Sequence, residues 1–290
     1  VGDDTRLRGL DLFSGIGGIA LALEPYVTTK AYCECEPFAQ AVLLSRMSEA
    51  KIETAPIWDD VRTLNKKILE AVGEIDIISG GFPCQDISVA GLGRGLEAER
   101  SGLFFEIVRL TKEIRPPFVF LENVPNIRTK GLSEVIKSFT EIRYDVRWAC
   151  FTASSFGAPH RRERWFALAH TRSERRQQKS RGAHGNEIKN EGRAKKKMHE
   201  FECHGEGHRT RAISYTLRER LQRQRQKPSG IKEKFYNIGD DSWWEIEPSL
   251  GRVVNGLPDR THRIKALGNA VVPFQARKAF EKLIGLSVNS

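Results

Sequence analysis

Five short apolar runs, each closing on a turn, constrain this chain more than any other feature. They are RGLDLF (Arg8 to Phe13), VTTKAYC (Val27 to Cys33), IDIIS (Ile75 to Ser79), FVFLE (Phe118 to Glu122) and RWFALA (Arg164 to Ala169). Runs of this length, rich in β-branched and aromatic residues, read as strands buried on both faces. Helical periodicity separates them. Ile19 to Leu23 opens one helix, Leu103, Ile107, Leu110 and Ile114 share a face at spacings of 4, 3 and 4, and Val135, Phe139 and Ile142 mark another. Strand, turn and helix in alternation imply an α/β fold with a doubly wound, mostly parallel sheet, which gathers binding groups at the carboxyl ends of its strands. No internal repeat is present.

The 290 residues leave room for one α/β domain and a smaller lobe. Hydrophobic residues make up 39% and charged residues 29%, and no stretch approaches the roughly 20 apolar residues of a membrane helix. The first residues, VGDDTRLRGLDLF, lack the apolar core of a signal peptide, and five cysteines, an odd number, suit a reducing compartment; a cytoplasmic location is expected. The net charge of +10 is unevenly spread. Residues 170–234 hold 19 Lys or Arg against 8 Asp or Glu, and the rest of the chain is close to neutral. Few large apolar residues accompany this basic segment, so it buries little surface by itself. It reads either as a solvated insertion or as a surface for a polyanion, whose phosphates Lys and Arg neutralise; nucleic acid is the leading partner class.

Chemistry-bearing residues cluster where strands end. In DLFSGIGG, Asp11 to Gly18, a strand runs into a glycine turn and a helix, so backbone can approach a ligand and the helix N-terminus faces it. Glu34, about 20 residues beyond that turn, stands where nucleotide-binding folds place a ribose-binding carboxylate, although a surface glutamate would look the same. Asp60, in WDDV, is suited to accept from an adenine amino group. GGFPCQDIS puts Cys84 after a proline at a strand end, among poor core formers. The stretch that follows, with Gly91, Gly93, Gly95 and Gly102, reads as a mobile lid. ENVPNI places Glu122 at another strand end, as an acid or a cap. In FGAPHRRERWFAL, Arg162 and Arg164 are expected on one face of the strand entering RWFALA. Near the C-terminus, Gly268 and Asn269 of KALGNAVVPFQARKAF are expected to turn tightly before an amphipathic helix carrying Ala276, Phe280 and Leu283.

These motifs, in this order, resemble the cytosine-C5 DNA methyltransferases. DLFSGIGG looks like that family's cofactor loop, GGFPCQ its nucleophile motif, ENV its acid motif, APHRRER its Arg-bearing motif and LGNAVVP its C-terminal motif. The resemblance covers 1–170 and 245–286. It implies a Rossmann-like methyltransferase fold with a catalytic and cofactor-binding domain at 1–169, a basic target-recognition region at 170–261 and a C-terminal segment, 262–290, that returns to the catalytic domain. It implies S-adenosylmethionine as cofactor, with Phe13, Gly15 and Gly17 around the methionine part, Glu34 on the ribose, Asp60 near the adenine, and Leu103 and Asn269 at further contact positions. It also implies the chemistry: the Cys84 thiolate adds to C6 of a cytosine flipped from duplex DNA, Glu122 acts at N3, Arg164 supports O2 and Arg162 the site around it.

Three positions depart from the family's usual pattern. Cys35 stands where an aromatic commonly stacks on adenine, His160 replaces a glutamine before the arginines, and EPSLGRVVNGLPD keeps only part of the motif preceding LGNAVVP. The resemblance leaves open a cognate restriction endonuclease and implies a monomer without a membrane. Two rival readings carry the same motifs: a tRNA cytosine-C5 methyltransferase, which an acidic or very short insert would have favoured, and a non-catalytic DNA-binding protein on the same scaffold, which would not need Cys84, Glu122 and Arg164 together. Cys203, His204 and His208 supply three of the four ligands of a zinc site, with only His199, Glu202 or Glu206 to complete it; the group is read as a chance cluster and no metal is expected.

Overall fold

The computed structural model describes residues 4–83, 102–171 and 260–285. Within them the expected strands form and join one seven-stranded sheet of order β3-β2-β1-β4-β5-β7-β6. Its strands are β1 (Leu7–Leu12), β2 (Val27–Cys33), β3 (Ile57–Trp58), β4 (Ile77–Gly81), β5 (Phe118–Asn123), β6 (Tyr144–Phe151) and β7 (Arg164–Thr171). The first five pair in parallel. β7 runs antiparallel to both β5 and β6. From β1 the chain moves outward through β2 to β3 on one side and through β4 to β5 on the other, so the strand order reverses between β1 and β4. Ligands of open α/β sheets bind in the crevice at that reversal.

The helices are α1 (Gly18–Leu23), α2 (Pro37–Ser48), α3 (Lys66–Leu69), α4 (Leu103–Ile114), α5 (Ile127–Lys130), α6 (Leu132–Glu141), α7 (Arg260–Asn269) and α8 (Pro273–Ile284). They cover both faces. Val119 and Leu121 of β5 join Leu110 of α4 and Phe139 of α6 in one core, and Phe118 and Phe120 join Ala22 of α1 and Phe280 of α8 in the other. A strand covered on both faces is apolar along most of its length, which is why β4 and β5 open as continuous apolar runs and turn polar only where they reach the carboxyl edge of the sheet.

One strand goes unannounced in the sequence, and one expectation is corrected. The 144–151 segment is a strand that the apolar runs do not announce: YDVRWACF alternates, with partly exposed side chains along most of its length, because β6 lies at the sheet edge. Gly268 and Asn269 close helix α7 and do not form an isolated turn. Both residue types favour the end of a helix as much as a turn.

The C-terminal helix belongs to the same body. Phe280 packs edge-on against Phe120 with ring centroids 5.4 Å apart and beside Tyr26 at 5.7 Å. The Tyr26 hydroxyl donates to Glu281 at 2.6 Å, Lys278 pairs with the other oxygen of that carboxylate at 3.0 Å, and Arg277 donates to the Ala22 carbonyl at the end of α1 at 2.9 Å. Val271 lies so close to Gly18 that a Cβ there would stand 2.9 Å from its Cγ1, so the glycine is what lets the segment reach the start of α1. Phe280→Ala is expected to destabilise the protein by about 3 to 5 kcal/mol through the cavity it leaves, read as a lower denaturant midpoint.

Candidate active site

Parallel strands bring their carboxyl ends to one edge. At the end of β1 the chain enters a loop in which Phe13, Gly15 and Gly17 all have left-handed backbone, with φ of 53°, 53° and 82°. Glycine adopts this conformation freely, but phenylalanine does so at a cost that persists only where the surroundings enforce it, commonly at ligand sites. The loop is held from three sides. The Gly15 amide donates to Glu34 Oε2 at 2.6 Å, Arg46 donates to the Ile16 carbonyl at 2.6 Å, and Ser14 Oγ donates to the Asp11 carbonyl at 2.7 Å. Among the described residues a side chain at Gly15 would meet only the Phe13 carbonyl, at 4.0 Å, so they leave the loop's backbone open on that side.

Glu34 follows β2 directly and its second oxygen accepts from the Glu36 amide at 2.8 Å. Asp60 follows β3, on a turn where its carboxylate accepts from the Arg62 amide at 3.0 Å. Arg109 of α4 donates to the carbonyls of Val61 at 2.9 Å and Leu64 at 2.8 Å, which ties that turn to the helix opened by Leu103. Asn269 lies exposed at the end of α7. The glycine loop, Glu34 and Asp60 thus occupy the ends of three adjacent strands.

Across the reversal, β5 ends in Glu122 and Asn123. Glu122 is buried and pairs with Arg164, Oε1 to Nε, at 3.0 Å. Burial pushes its carboxyl up to about 7, against the pull of Arg164 and Arg162, which favour the charged form. Gly81 of β4 lies opposite Glu122, and a Cβ there would stand 2.8 Å from Glu122 Oε2, so the neighbouring strand must carry glycine for the carboxylate to sit where it does. Asn123 donates to the Phe82 carbonyl at 2.9 Å, holding the backbone just before Pro83. Cys84 and the 85–101 loop lie outside the described residues, as does most of the 170–261 region with its CHxxxH cluster.

Arg164 reaches this edge because β7 is antiparallel: its first residues pair beside the last residues of β5, Trp165 opposite Asn123. Arg162 does not share a strand face with it. It precedes β7 with a φ of 26°, and its guanidinium turns to the carbonyls of Gly268, at 2.9 Å, and Ala270. Among the described residues no His, Cys, Asp or Glu group is arranged to hold a metal ion, and no helix is long and apolar enough to cross a membrane.

The profile of the C-5 cytosine-specific DNA methylase family matches residues 7–248. The chain belongs to that family. Among curated relatives it is 40% identical over 163 residues to the Type II methyltransferase M.CviJI of Paramecium bursaria Chlorella virus IL3A, covering 56% of this chain and 42% of the relative. It is 36% identical over 169 residues to the Type II methyltransferase M.HhaI of Haemophilus parahaemolyticus, covering 57% and 49%. A crystal structure of a prophage-encoded DNA modification methyltransferase from E. coli is 29% identical, with a TM-score of 0.47 over 57% of this chain and 47% of that one. The chain spans about half the length of the curated relatives it matches.

Sequence reasoning passed over Asp11. Its carboxyl is buried under the glycine loop, accepts from Ser79 Oγ at 2.6 Å, and has one oxygen without a hydrogen-bond partner among the described residues. The signal was present, an acid inside an apolar strand, but the glycines beside it drew the attention. Burial raises this carboxyl to about 7. A folded-state value above the unfolded one means that the native protein binds more protons, so this stability is fully present below about pH 4 and is lost as pH rises through about 7. Asp11→Asn removes that dependence. Relative to the variant, the parent protein is expected to lose on the order of 2 to 4 kcal/mol between pH 4 and pH 8 in denaturant titrations; parallel curves for the two would contradict this.

Proposed function

We propose that this chain is a DNA (cytosine-5-)-methyltransferase that acts on a cytosine flipped from a specific duplex sequence, through a covalent adduct at Cys84. The observation that carries the reading is the buried Glu122–Arg164 pair at the strand edge, separated by the one strand β4 from the β1 end that carries the glycine loop, with Glu122 raised to about 7. At neutral pH such a carboxyl is present in both protonation states. It can therefore hold a proton against a ring nitrogen, which a carboxylate at its ordinary value near 4 would have given up.

Family membership implies S-adenosylmethionine, and the residues present fit it. The open left-handed loop suits the close approach of a ligand's methionine part to Phe13, Gly15 and Gly17, and the buried Asp11 carboxyl has one oxygen without a hydrogen-bond partner among the described residues. Glu34 suits ribose hydroxyls and Asp60 an adenine amino group, with Leu103 and Asn269 completing the set. When bound, the cofactor supplies an electrophilic methyl group on a sulfonium sulfur.

The chain's own residues do the rest. Cytosine C5 is a poor nucleophile, so the Cys84 thiolate adds to C6, and the electron pair of the C5–C6 double bond becomes available at C5. Glu122 holds the proton at N3 and so stabilises the charge that develops on the ring, while Arg164 supports O2 and Arg162 orders the residues around it. Once C5 is methylated, its proton goes to a base, the thiolate leaves C6 and the ring's double bond returns. The base must leave the stack first, and closure of the 85–101 loop would exclude water behind it. The basic 170–234 segment would neutralise phosphates and carry the sequence preference. A restriction system, a monomeric state and a cytoplasmic location fit this reading.

Transfer of a labelled methyl group from S-adenosylmethionine to unmethylated duplex DNA, followed by conversion sequencing, tests it, with tRNA as competitor. Methylation confined to one short DNA sequence is expected. Cys84→Ser is expected to abolish turnover, by about 10⁴-fold or more, and to leave cofactor affinity within a few-fold, because the thiolate acts in the chemistry and not on the cofactor. Cofactor binding with no transfer to DNA, or a Cys84→Ser protein as fast as its parent, would sink the proposal.

A further inference from the structure

Gln275 lies on the first turn of α8, fully buried, on a helix whose Ala276, Ala279 and Phe280 join the apolar core. A buried amide is costly unless it is hydrogen-bonded. Its Nε2 donates twice, to the Phe151 carbonyl at 2.8 Å and to the Arg162 carbonyl at 2.9 Å. Both partners can only accept, so chemistry alone sets which end of the amide is nitrogen. One side chain therefore pins the last residue of β6 and the residue two before Arg164. It closes the 152–163 connection at both of its ends.

Arg162 needs such a hold. Its φ of 26° is a backbone conformation that a residue with a Cβ adopts only when the surroundings enforce it. Its guanidinium in turn donates to the carbonyls of Gly268 and Ala270, which flank Asn269. Arg162 is thus gripped through its carbonyl by α8 and grips the end of α7 through its side chain. Two residues further on, Arg164 makes the ion pair with Glu122. The amide of Gln275 is the shared anchor of these contacts, and a hydrocarbon side chain of the same size could fill its space but could not hold either carbonyl.

We propose that Gln275 is a positioning residue for methyl transfer: by fixing the Arg162 backbone it sets where Arg164 meets Glu122. This rests on the methyltransferase reading above. It touches neither cofactor nor base and acts only through the arginines.

The test is single-turnover methyl transfer to duplex DNA by the full chain at saturating cofactor and DNA. Gln275→Met keeps the length and loses the donor; a rate lower by about tenfold to a hundredfold is expected, the size of effect that a misplaced catalytic group produces. Cofactor affinity is expected to stay within about threefold, because the glycine loop, Glu34 and Asp60 are elsewhere and only Asn269 borders the carbonyls that Arg162 holds. Gln275→Asn, which keeps the amide and shortens its reach, is expected to lie between, and it carries the test if the methionine variant does not fold. Phe280→Leu, on the same helix, is the control for stability alone: it should lower the melting temperature and leave the rate as it was. If the Gln275 variants melt earlier but react at the parent's rate, as Phe280→Leu does, the residue is structural and the proposal is overturned. A parent chain that transfers no methyl to DNA overturns the methyltransferase reading itself, which the variants' rates relative to an active parent do not touch.

Discussion

Glu122 and Arg164 meet in a place where neither would be stable alone. Both side chains are largely withdrawn from water, and their contact at 3.0 Å offsets only part of what the carboxylate loses by burial, which is why Glu122 stands at about 7. Removing the arginine would push that carboxyl further up, and giving it more water would let it fall. The pair is tuned by geometry, and the geometry comes from the sheet. A parallel strand delivers its last residue to the crevice, as β5 delivers Glu122. The partner has to arrive from a strand running the other way, and β7 begins at Arg164 beside the end of β5. One antiparallel strand in a parallel sheet is therefore what lets acid and base face each other across a single ladder.

The same dependence runs outward. Gly81 leaves room for the carboxylate, Asn123 fastens the backbone before Pro83, and the 152–163 connection is fastened to α8. None of these contacts is local in sequence. A site built from strand ends inherits its precision from how the strands are packed, and here the packing includes a helix that follows the basic segment in the chain.

How much of this could be read from residues alone follows from the physics of each element. β1, β4 and β5 are covered on both faces, so their apolar runs announce them; β6, at the edge, is covered on one side and carries Asp145 and Arg147 among its aromatics, so it does not. Gly268 and Asn269 suit a turn and a helix end equally, and only the polar RTHRIKA stretch before them, a poor advertisement for a buried helix, distinguishes the two. Glu34, Glu122 and Arg164 were legible because they sit at strand ends. The hold on Arg162 was not, since a backbone angle and a side-chain direction leave no mark in composition, and Gln275 looks like any polar residue on an amphipathic helix. Cys84 lies outside the described residues, so its sequence motif alone carries the argument for it.

The return of the C-terminal segment also bears on how the two ends of the 172–259 segment are held. β7 ends at Thr171, and α8, which follows α7, packs against β7, β6 and α1, so both flanks of the 172–259 segment are anchored in one body. Between those flanks lie 88 residues. The contacts that hold α8, the Phe280 rings and the Tyr26–Glu281–Lys278 cluster among them, do not depend on that length. Within α8 the constraint falls on Gln275 and Arg277, because the first holds the Arg162 carbonyl beside the arginine of the site and the second holds the Ala22 carbonyl at the end of α1.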